Sequence, residues 1–439
     1  MIKTLLLYSI FIVFSSSLKA QDKIDSTRIY LRNAYVLDFQ SNEFRVGNIT
    51  IESDLISKID YGKSSIDKKG LINYNLENKY LIPGLIDAHV HLGTDPSDGD
   101  NLEITKARLN YLLVNGVTTV RDMAGDGRFL SYLSRLALLD EIPAPDIYFS
   151  ALFAGDSFFK DPRIKAASQG IEIGQAPWMR AINSYSDLNQ LIAEAKGTGA
   201  TGIKIYADLD KTEVRRIVLA AHKQNMKVWA HATVFPARPS EISLTGVDVL
   251  SHSTLLAWEA EKVVPTDATL RYSKQEDFDI NNKVFYKLME TLKTNNSILD
   301  ATVNVYTDNA KDTTLFQKGV ALTKLAYQKK VKIGVGTDMS LNNLSAVAPI
   351  FQEMGTLQRE VGMKPIDIIR AATIVNAEMI GKENRIGSIE VGKKANIIVL
   401  RLNPLLDIEN CSKIEYIIKN GKVYKKNSVW IAKAQAHNK

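Results

Sequence analysis

Apolar positions fall into distinct regimes along this chain of 439 residues. Between residues 28 and 60, the stretches RIYLRNAYVLDF, NITIES and ISKID alternate with turns, and residues 388–426 do the same in GSIEVGKKANIIVLRL and EYIIKNGKVYK. Such alternation marks half-buried strands, and Asn420-Gly421 is a hairpin turn signal. The middle of the chain differs. From Leu81 to about Ile380, eight apolar runs read as strands: Ile86–His91, Val117–Asp122, Asp146–Phe153, Gly202–Ala207, Lys227–Ala232, Val247–Ser253, Ile298–Val305 and Lys332–Asp338. Helical spacing of apolar residues fills the intervals, as in Thr212–Asn225 and Phe316–Lys329.

Eight strands alternating with helices predict an α/β fold, a (β/α)8 TIM barrel. The flanking strands then form a small β-sandwich domain from both chain ends. The expected boundaries are 21–82 and 386–432 for the sandwich halves, 83–385 for the barrel and 433–439 for a tail. A doubly wound open sheet is the alternative; no glycine-rich phosphate loop follows an early strand to support it. Two connections, from Ala154 to about Tyr185 and from Thr254 to about Asn281, are too long for plain loops. Both follow strands whose C-terminal ends would form the rim of the barrel, which makes them candidate lids; charged surface insertions are the alternative.

Composition narrows the class. Hydrophobic content of 45% and charged content of 24% suit a globular protein with a large core. The net charge is +6, and removal of residues 1–20, with Lys3 and Lys19, lowers it by two. Basic runs with interleaved aromatics are missing, so nucleic-acid binding has no support. Residues 1–20 read as a signal peptide: Lys3, then an apolar core from Leu5 to Val13, then Leu18-Lys19-Ala20 as a cleavage site. The apolar run is short for a membrane span, although an uncleaved anchor is the alternative. The expectation is an exported protein, periplasmic or secreted, with no membrane attachment in its mature form. Cys411 is the single cysteine, so no intrachain disulfide can form. The oligomeric state is left open, a homo-oligomer included.

The candidate chemistry lies at strand ends. His89 and His91 are two apart, so period-two geometry sends both imidazoles to one side, where they can grip one divalent metal. Lys204, between Ile203 and Ile205, should point into the barrel. A buried ammonium must be neutralised. A carboxylate partner would serve; so would reaction with CO2, which converts the amine into an anionic ligand for two metals. His231 and His252 each follow an apolar strand, where a histidine bonded to backbone is the plainer reading, and Asp338 ends the last strand, where a helix N-cap is the plainer reading. Co-location shifts the balance: all six positions converge on one rim of a closed barrel, as a metal site requires.

The segments carrying these residues resemble the amidohydrolase superfamily, in its imidazolonepropionase-like and prolidase-like branch. They are IPGLIDAHVHLG (82–93), NGVTTVRDMAG (115–125), GIKIYA (202–207), VWAHAT (228–233), GVDVLSHST (246–254), GVGTDM (334–339), AATIVNAEMIGKENRIGSIEVGKKANIIVL (371–400) and IIKNGKVY (417–424). The resemblance implies that His89, His91 and Asp338 hold one metal and His231 and His252 a second, with N6-carboxylated Lys204 bridging two zinc ions. It implies hydrolysis of a C–N amide bond in a small-molecule substrate, a dipeptide of the Xaa-Pro or related type, by metal-activated hydroxide with Asp338 as general base. Asn396 departs from the acid usual in that segment, and a histidine found near strand three in some peptidases is replaced by ALFAGDSFFKDPR. The alternatives are a mononuclear deaminase or cyclic-amide hydrolase, and an exported binding protein with a dead barrel.

Substrate contacts are expected from Arg121 and Asp122, for which a structural ion pair is the alternative, and from Tyr206 and Tyr306. Arg163, Lys165 and Arg180 in the first long connection could hold a substrate carboxylate, or simply be solvated. His222, in a predicted helix, and His437, in the tail, receive no catalytic role.

Overall fold

A computed structural model describes residues 28–93, 101–273, 278–307, 313–338 and 347–425, without the side chains of residues 162 and 163. The signal peptide read at residues 1–20, the tail at 433–439 and His437 lie outside the described residues. Among those described, no helix is long and apolar enough to cross a membrane.

The chain begins with β1 (Arg28–Asp38), β2 (Glu43–Glu52), β3 (Leu55–Tyr61), β4 (Ile72–Asn75) and β5 (Tyr80–Pro83). The barrel strands are β6 (Leu85–Val90), β7 (Val117–Asp122), β8 (Asp146–Gly155), β11 (Gly202–Ile205), β12 (Lys227–His231), β13 (Val249–Ser251), β14 (Ile298–Asp300) and β15 (Ile333–Gly334). Two short strands, β9 (Gln175–Ala176) and β10 (Met179–Ile182), interrupt them, and β16 (Ile397–Leu400), β17 (Ile414–Lys419) and β18 (Lys422–Tyr424) close the chain. The chain ends meet in one eight-stranded sheet, ordered β18-β17-β16-β5-β1-β2-β3 with β4 beside β1. β16 pairs antiparallel with β5, so the C-terminal half completes the N-terminal one. Ile29, Leu31, Val36, Ile49, Ile51, Leu81, Ile397 and Val399 fill this sheet's own core.

The barrel strands pair in parallel from β6 through β15. Closure rests on backbone bonds from Ala88 N–H to Val335 O (3.0 Å) and from Asp338 N–H to His89 O (2.9 Å). The buried Asn376 amide ties the same seam, donating to Ile86 O and Val335 O and accepting Val335 N–H. Helices fill the crossovers and take their caps from the sequence. Asp210 and Glu213 form a capping box on Lys211–Lys223, and a second predicted helix runs from Thr314 to Gln328. At Gly84, between the two sheets, an added Cβ would fall 2.2 Å from Thr118 Oγ1, so only glycine fits the passage.

Inward positions stack in layers two residues apart. Trp229, Val249 and Ile298 pack in one apolar cluster with Ile86 and Met379, and an added Cβ at Gly202 would strike the Trp229 ring. Two residues further along the same strands come Lys204, His231, Ser251 and Asp300. An apolar plug therefore supports a polar layer.

The two long connections are structured in their described parts. The first holds a helical turn at Asp156–Lys160, a helix at Pro162–Ala167 and the β9–β10 hairpin, whose β10 pairs with β8. The second holds helical turns at Ser253–Glu259 and Ala268–Tyr272.

At the opposite end of β8, Asp146 bridges barrel and sheet through Lys419 (2.8 Å) and Lys394 (3.2 Å). Burial alone would raise its pKa, but the two ammonium charges outweigh burial and hold it below the usual value. The pairs thus contribute fully above about pH 4, the ordinary aspartate pKa, and their contribution fades as pH falls through the lower folded-state value. Asp146→Asn strands Lys419, which is 1% exposed, and should cost on the order of 3 kcal/mol in denaturant unfolding at pH 7. The deficit should shrink towards pH 3; one that ignores pH would contradict the assignment.

Candidate metal centre

The C-terminal ends of five barrel strands bring the six predicted residues together. His89 and His91 lie at the end of β6, and Asp338 follows β15 in a left-handed conformation (φ 48°). One ligand atom from each of these three lies within 4.8 Å of the others. Asp338 Oδ1 stands 3.4 Å from His89 Nε2 and 3.1 Å from His91 Nε2. His252 ends β13, also left-handed (φ 72°), with its ring centroid 4.9 Å from His89's and 4.7 Å from His231's. Four imidazoles and one carboxylate thus form a continuous cluster.

Their electrostatics suit ligands. Burial lowers the pKa of His89, lowers that of His252 to about 3, and drops that of His231 well below its usual value, with Lys204 and His252 charges adding to the last. These imidazoles are therefore neutral at pH 7, as a metal needs. For His91 burial acts downward, yet the hydrogen bond and charge of Asp338 outweigh it and raise the pKa. Burial pushes Asp338 upward too, but the surrounding imidazoles, His89 first, hold it well below the carboxylate range.

Lys204 completes the set. It is 1% exposed, and its Nζ has no hydrogen-bond partner among the described residues. Burial lowers its pKa to about 7 against the pull of Asp300. Its charge acts to lower the pKa of His89, His231 and His252. An orphaned buried nitrogen beside neutral imidazoles and an ionised aspartate fits a divalent-metal site that the amine alone cannot complete.

Beneath the cluster lies a supporting network. Asp300 Oδ2 accepts His89 Nδ1–H (2.7 Å), an Arg121 guanidinium N–H (2.9 Å) and the Ser251 hydroxyl (3.0 Å). Burial acts to raise the Asp300 pKa, but His89 and Arg121 hold it at about 2. Thr302 Oγ1 lies 2.8 Å from His252 Nδ1. Asp87 accepts the Thr337 hydroxyl (2.9 Å) and the backbone N–H groups of Thr337 and His89.

The remaining predicted residues divide. Arg121 forms the ion pair given as its alternative: its guanidinium is fully buried, donates to Ala88 O and Asp300 and lies 4.7 Å from the Trp229 ring centre, while Nη1 has no partner among the described residues. Asp122 accepts Leu92 N–H (2.5 Å) and Ala124 N–H (3.1 Å) and so shapes the loop that carries His91. Tyr206 stays at the site, its ring centroid 4.1 Å from His231's and 4.4 Å from Phe158's. Tyr306 packs edge-on against Tyr272, and burial, with Tyr272 and the Asp338 charge, pushes its phenol pKa well above usual. Arg180 pairs with the protein's own Glu194 and Gln175. Lys165 is exposed, and the Arg163 side chain lies outside the described residues. His222 pairs with Asp248 on the surface (2.9 Å).

The sequence reading missed Asp300, Thr302 and Asp87. Asp300 had a signal, since it is a carboxylate at a strand end like Asp338. Nothing local marked Thr302, whose role comes from a turn.

The model of the Amidohydrolase family matches residues 80–424. A 5-methylthioadenosine/S-adenosylhomocysteine deaminase of Clostridium tetani is 23% identical over 429 residues, 88% of this chain and 90% of that protein. An imidazolonepropionase of Geobacillus sp. (strain WCH70) is 31% identical over 121 residues, 24% of this chain and 27% of that protein. Among solved structures, a Xaa-Pro dipeptidase with bound methionine is similar in fold, with a TM-score of 0.72, 21% identity, and coverage of 91% of this chain and 100% of that one.

Gly336 tests the packing of the centre. A Cβ there would fall 2.4 Å from Asp300 Oδ1 and 2.6 Å from His89 Cβ. Gly336→Ala should therefore cost about 1–3 kcal/mol in denaturant unfolding. A neutral result would show that this layer can shift.

Proposed function

Because the chain belongs to the amidohydrolase family, we propose that it is a metal-dependent hydrolase of a C–N amide bond in a small substrate, most simply a dipeptide of the Xaa-Pro or related type. The observation that carries this reading is the buried Lys204 amine, without a partner among the described residues, on the same rim as four imidazoles and Asp338. Neutral Lys204 adds CO2: the nitrogen lone pair forms an N–C bond, one proton leaves to solvent, and the product is an anionic carbamate. That group would supply oxygen ligands to divalent metal ions. His89, His91 and Asp338 would hold one ion, His231 and His252 the other.

When bound, the ions would polarise the scissile carbonyl and acidify a water molecule. Asp338 is ionised at neutral pH and lies between the histidine pairs, so its carboxylate takes the proton from the attacking water and passes it to the leaving nitrogen. Tyr206, packed on His231, and Tyr306 line the substrate side. Arg163 and Lys165 remain the proposed partners of a substrate carboxylate. Residues 1–20 would export the enzyme to the periplasm or medium.

A second reading is deamination, favoured by the nearly full-length match to a protein named as a deaminase. A panel of dipeptides and N-acyl amino acids set against adenine nucleosides separates the two. Turnover confined to the nucleosides would overturn the peptide reading. In either case Asp338→Asn should lose about 10²–10⁴-fold in kcat with the fold retained; wild-type turnover in that variant would remove Asp338 as the base. Lys204→Ala should be inactive and partly restored by short-chain carboxylic acids, whereas full activity without them would end the carbamate assignment.

A further inference from the structure

The segment from Asp300 to Asn304 is bonded to the centre through Asp300 and Thr302. Asp300 Oδ2 accepts the Nδ1–H of His89 (2.7 Å), which leaves Nε2 of that ring, 3.4 Å from Asp338, as the metal-facing nitrogen. Two residues on, Thr302 Oγ1 lies 2.8 Å from Nδ1 of His252. The backbone repeats the connection: His252 N–H donates to Asp300 O (3.0 Å) and Ser253 N–H to Ala301 O (3.1 Å). His89 and His252 belong to the two different proposed metal sites, so one short segment touches both.

That segment is held in a conformation it would not adopt alone. Thr302 is β-branched and has φ 44°, in the left-handed region that such side chains avoid. The restraint comes from outside the barrel strands. Glu353, fully buried on helix Pro349–Thr356, accepts Val303 N–H (2.9 Å) and Asn304 N–H (2.7 Å), which lie beyond the end of β14. Thr356 on the same helix donates to Asn304 Oδ1 (3.0 Å). Neither Glu353 nor Thr356 has a partner at the histidines in these bonds.

We propose that residues 300–304 act as one strut, clamped by Glu353, that orients His89 through Asp300 and His252 through Thr302 and thereby sets the metal affinity of both sites. Asp300, Thr302 and Glu353 are positioning residues in this account. It rests on the metal-centre reading above and extends it, because loss of a partner that orients an imidazole ligand typically weakens metal binding about 10- to 100-fold.

Thr302→Val keeps the β-branch and removes the hydroxyl; Thr302→Ser keeps the hydroxyl. Metal affinity of the full chain is measured by zinc competition with a chromogenic chelator, beside thermal midpoints of the metal-free proteins. The strut predicts that Thr302→Val weakens zinc binding about 10- to 100-fold, that Thr302→Ser restores it, and that metal-free midpoints match. Glu353→Gln, which touches neither histidine, should also weaken zinc binding. Unchanged affinity in Thr302→Val, or equal losses in the Val and Ser variants, would overturn the strut while leaving the metal centre standing. A wild-type chain that binds no zinc would overturn both.

Discussion

A charged group taken out of water must find a counter-charge or surrender its charge, and this constraint organises the protein. Two cations are buried at the polar layer of the barrel. Arg121 meets the rule by pairing with Asp300 at 2.9 Å. Lys204 does not: its Nζ has no hydrogen-bond partner among the described residues, and burial brings its pKa down to about 7. Among the described residues, one buried cation therefore has its counter-charge and the next has none in hydrogen-bond reach.

The barrel supplies what such a site requires. Parallel strands send every C-terminal end to one rim, and two-residue periodicity places Lys204, His231, Ser251 and Asp300 directly above Trp229, Val249 and Ile298. The apolar plug keeps water from below and lends rigidity. Backbone strain collects at the same rim, with His252, Thr302 and Asp338 all at positive φ. These conformations persist because hydrogen bonds over-determine them, and strain of this kind is commonly held at functional sites. The sheet built from both chain ends lies at the other end of β8, fastened through Asp146, Lys394 and Lys419.

Much of this was legible in the sequence. The eight barrel strands were all found because buried parallel strands are short apolar runs, although the later ones are shorter than their apolar stretches suggest: β15 covers only Ile333–Gly334 of the predicted Lys332–Asp338. The remaining residues there leave the strand to form the turn that carries Asp338. The six site positions came from strand-end placement, and the structure brings them together. The partners of the other predicted residues were not legible. Arg121 and Asp122 occupy the right strand, yet whether a strand-end charge faces the pocket or a buried partner depends on Asp300, which lies 179 positions from Arg121. Arg180 meets Glu194 for the same reason. Tertiary pairing of charges leaves no local pattern, and neither does the turn that makes Thr302 a partner of His252.

The proposed role of Lys204 is to join two metal sites. The most direct test is the count of divalent ions per chain by elemental analysis, on protein prepared in bicarbonate without chelator. The account predicts about two ions per chain, as a bridged binuclear centre needs. One ion per chain would contradict the bridge, and none after metal is added back would contradict the metal centre itself.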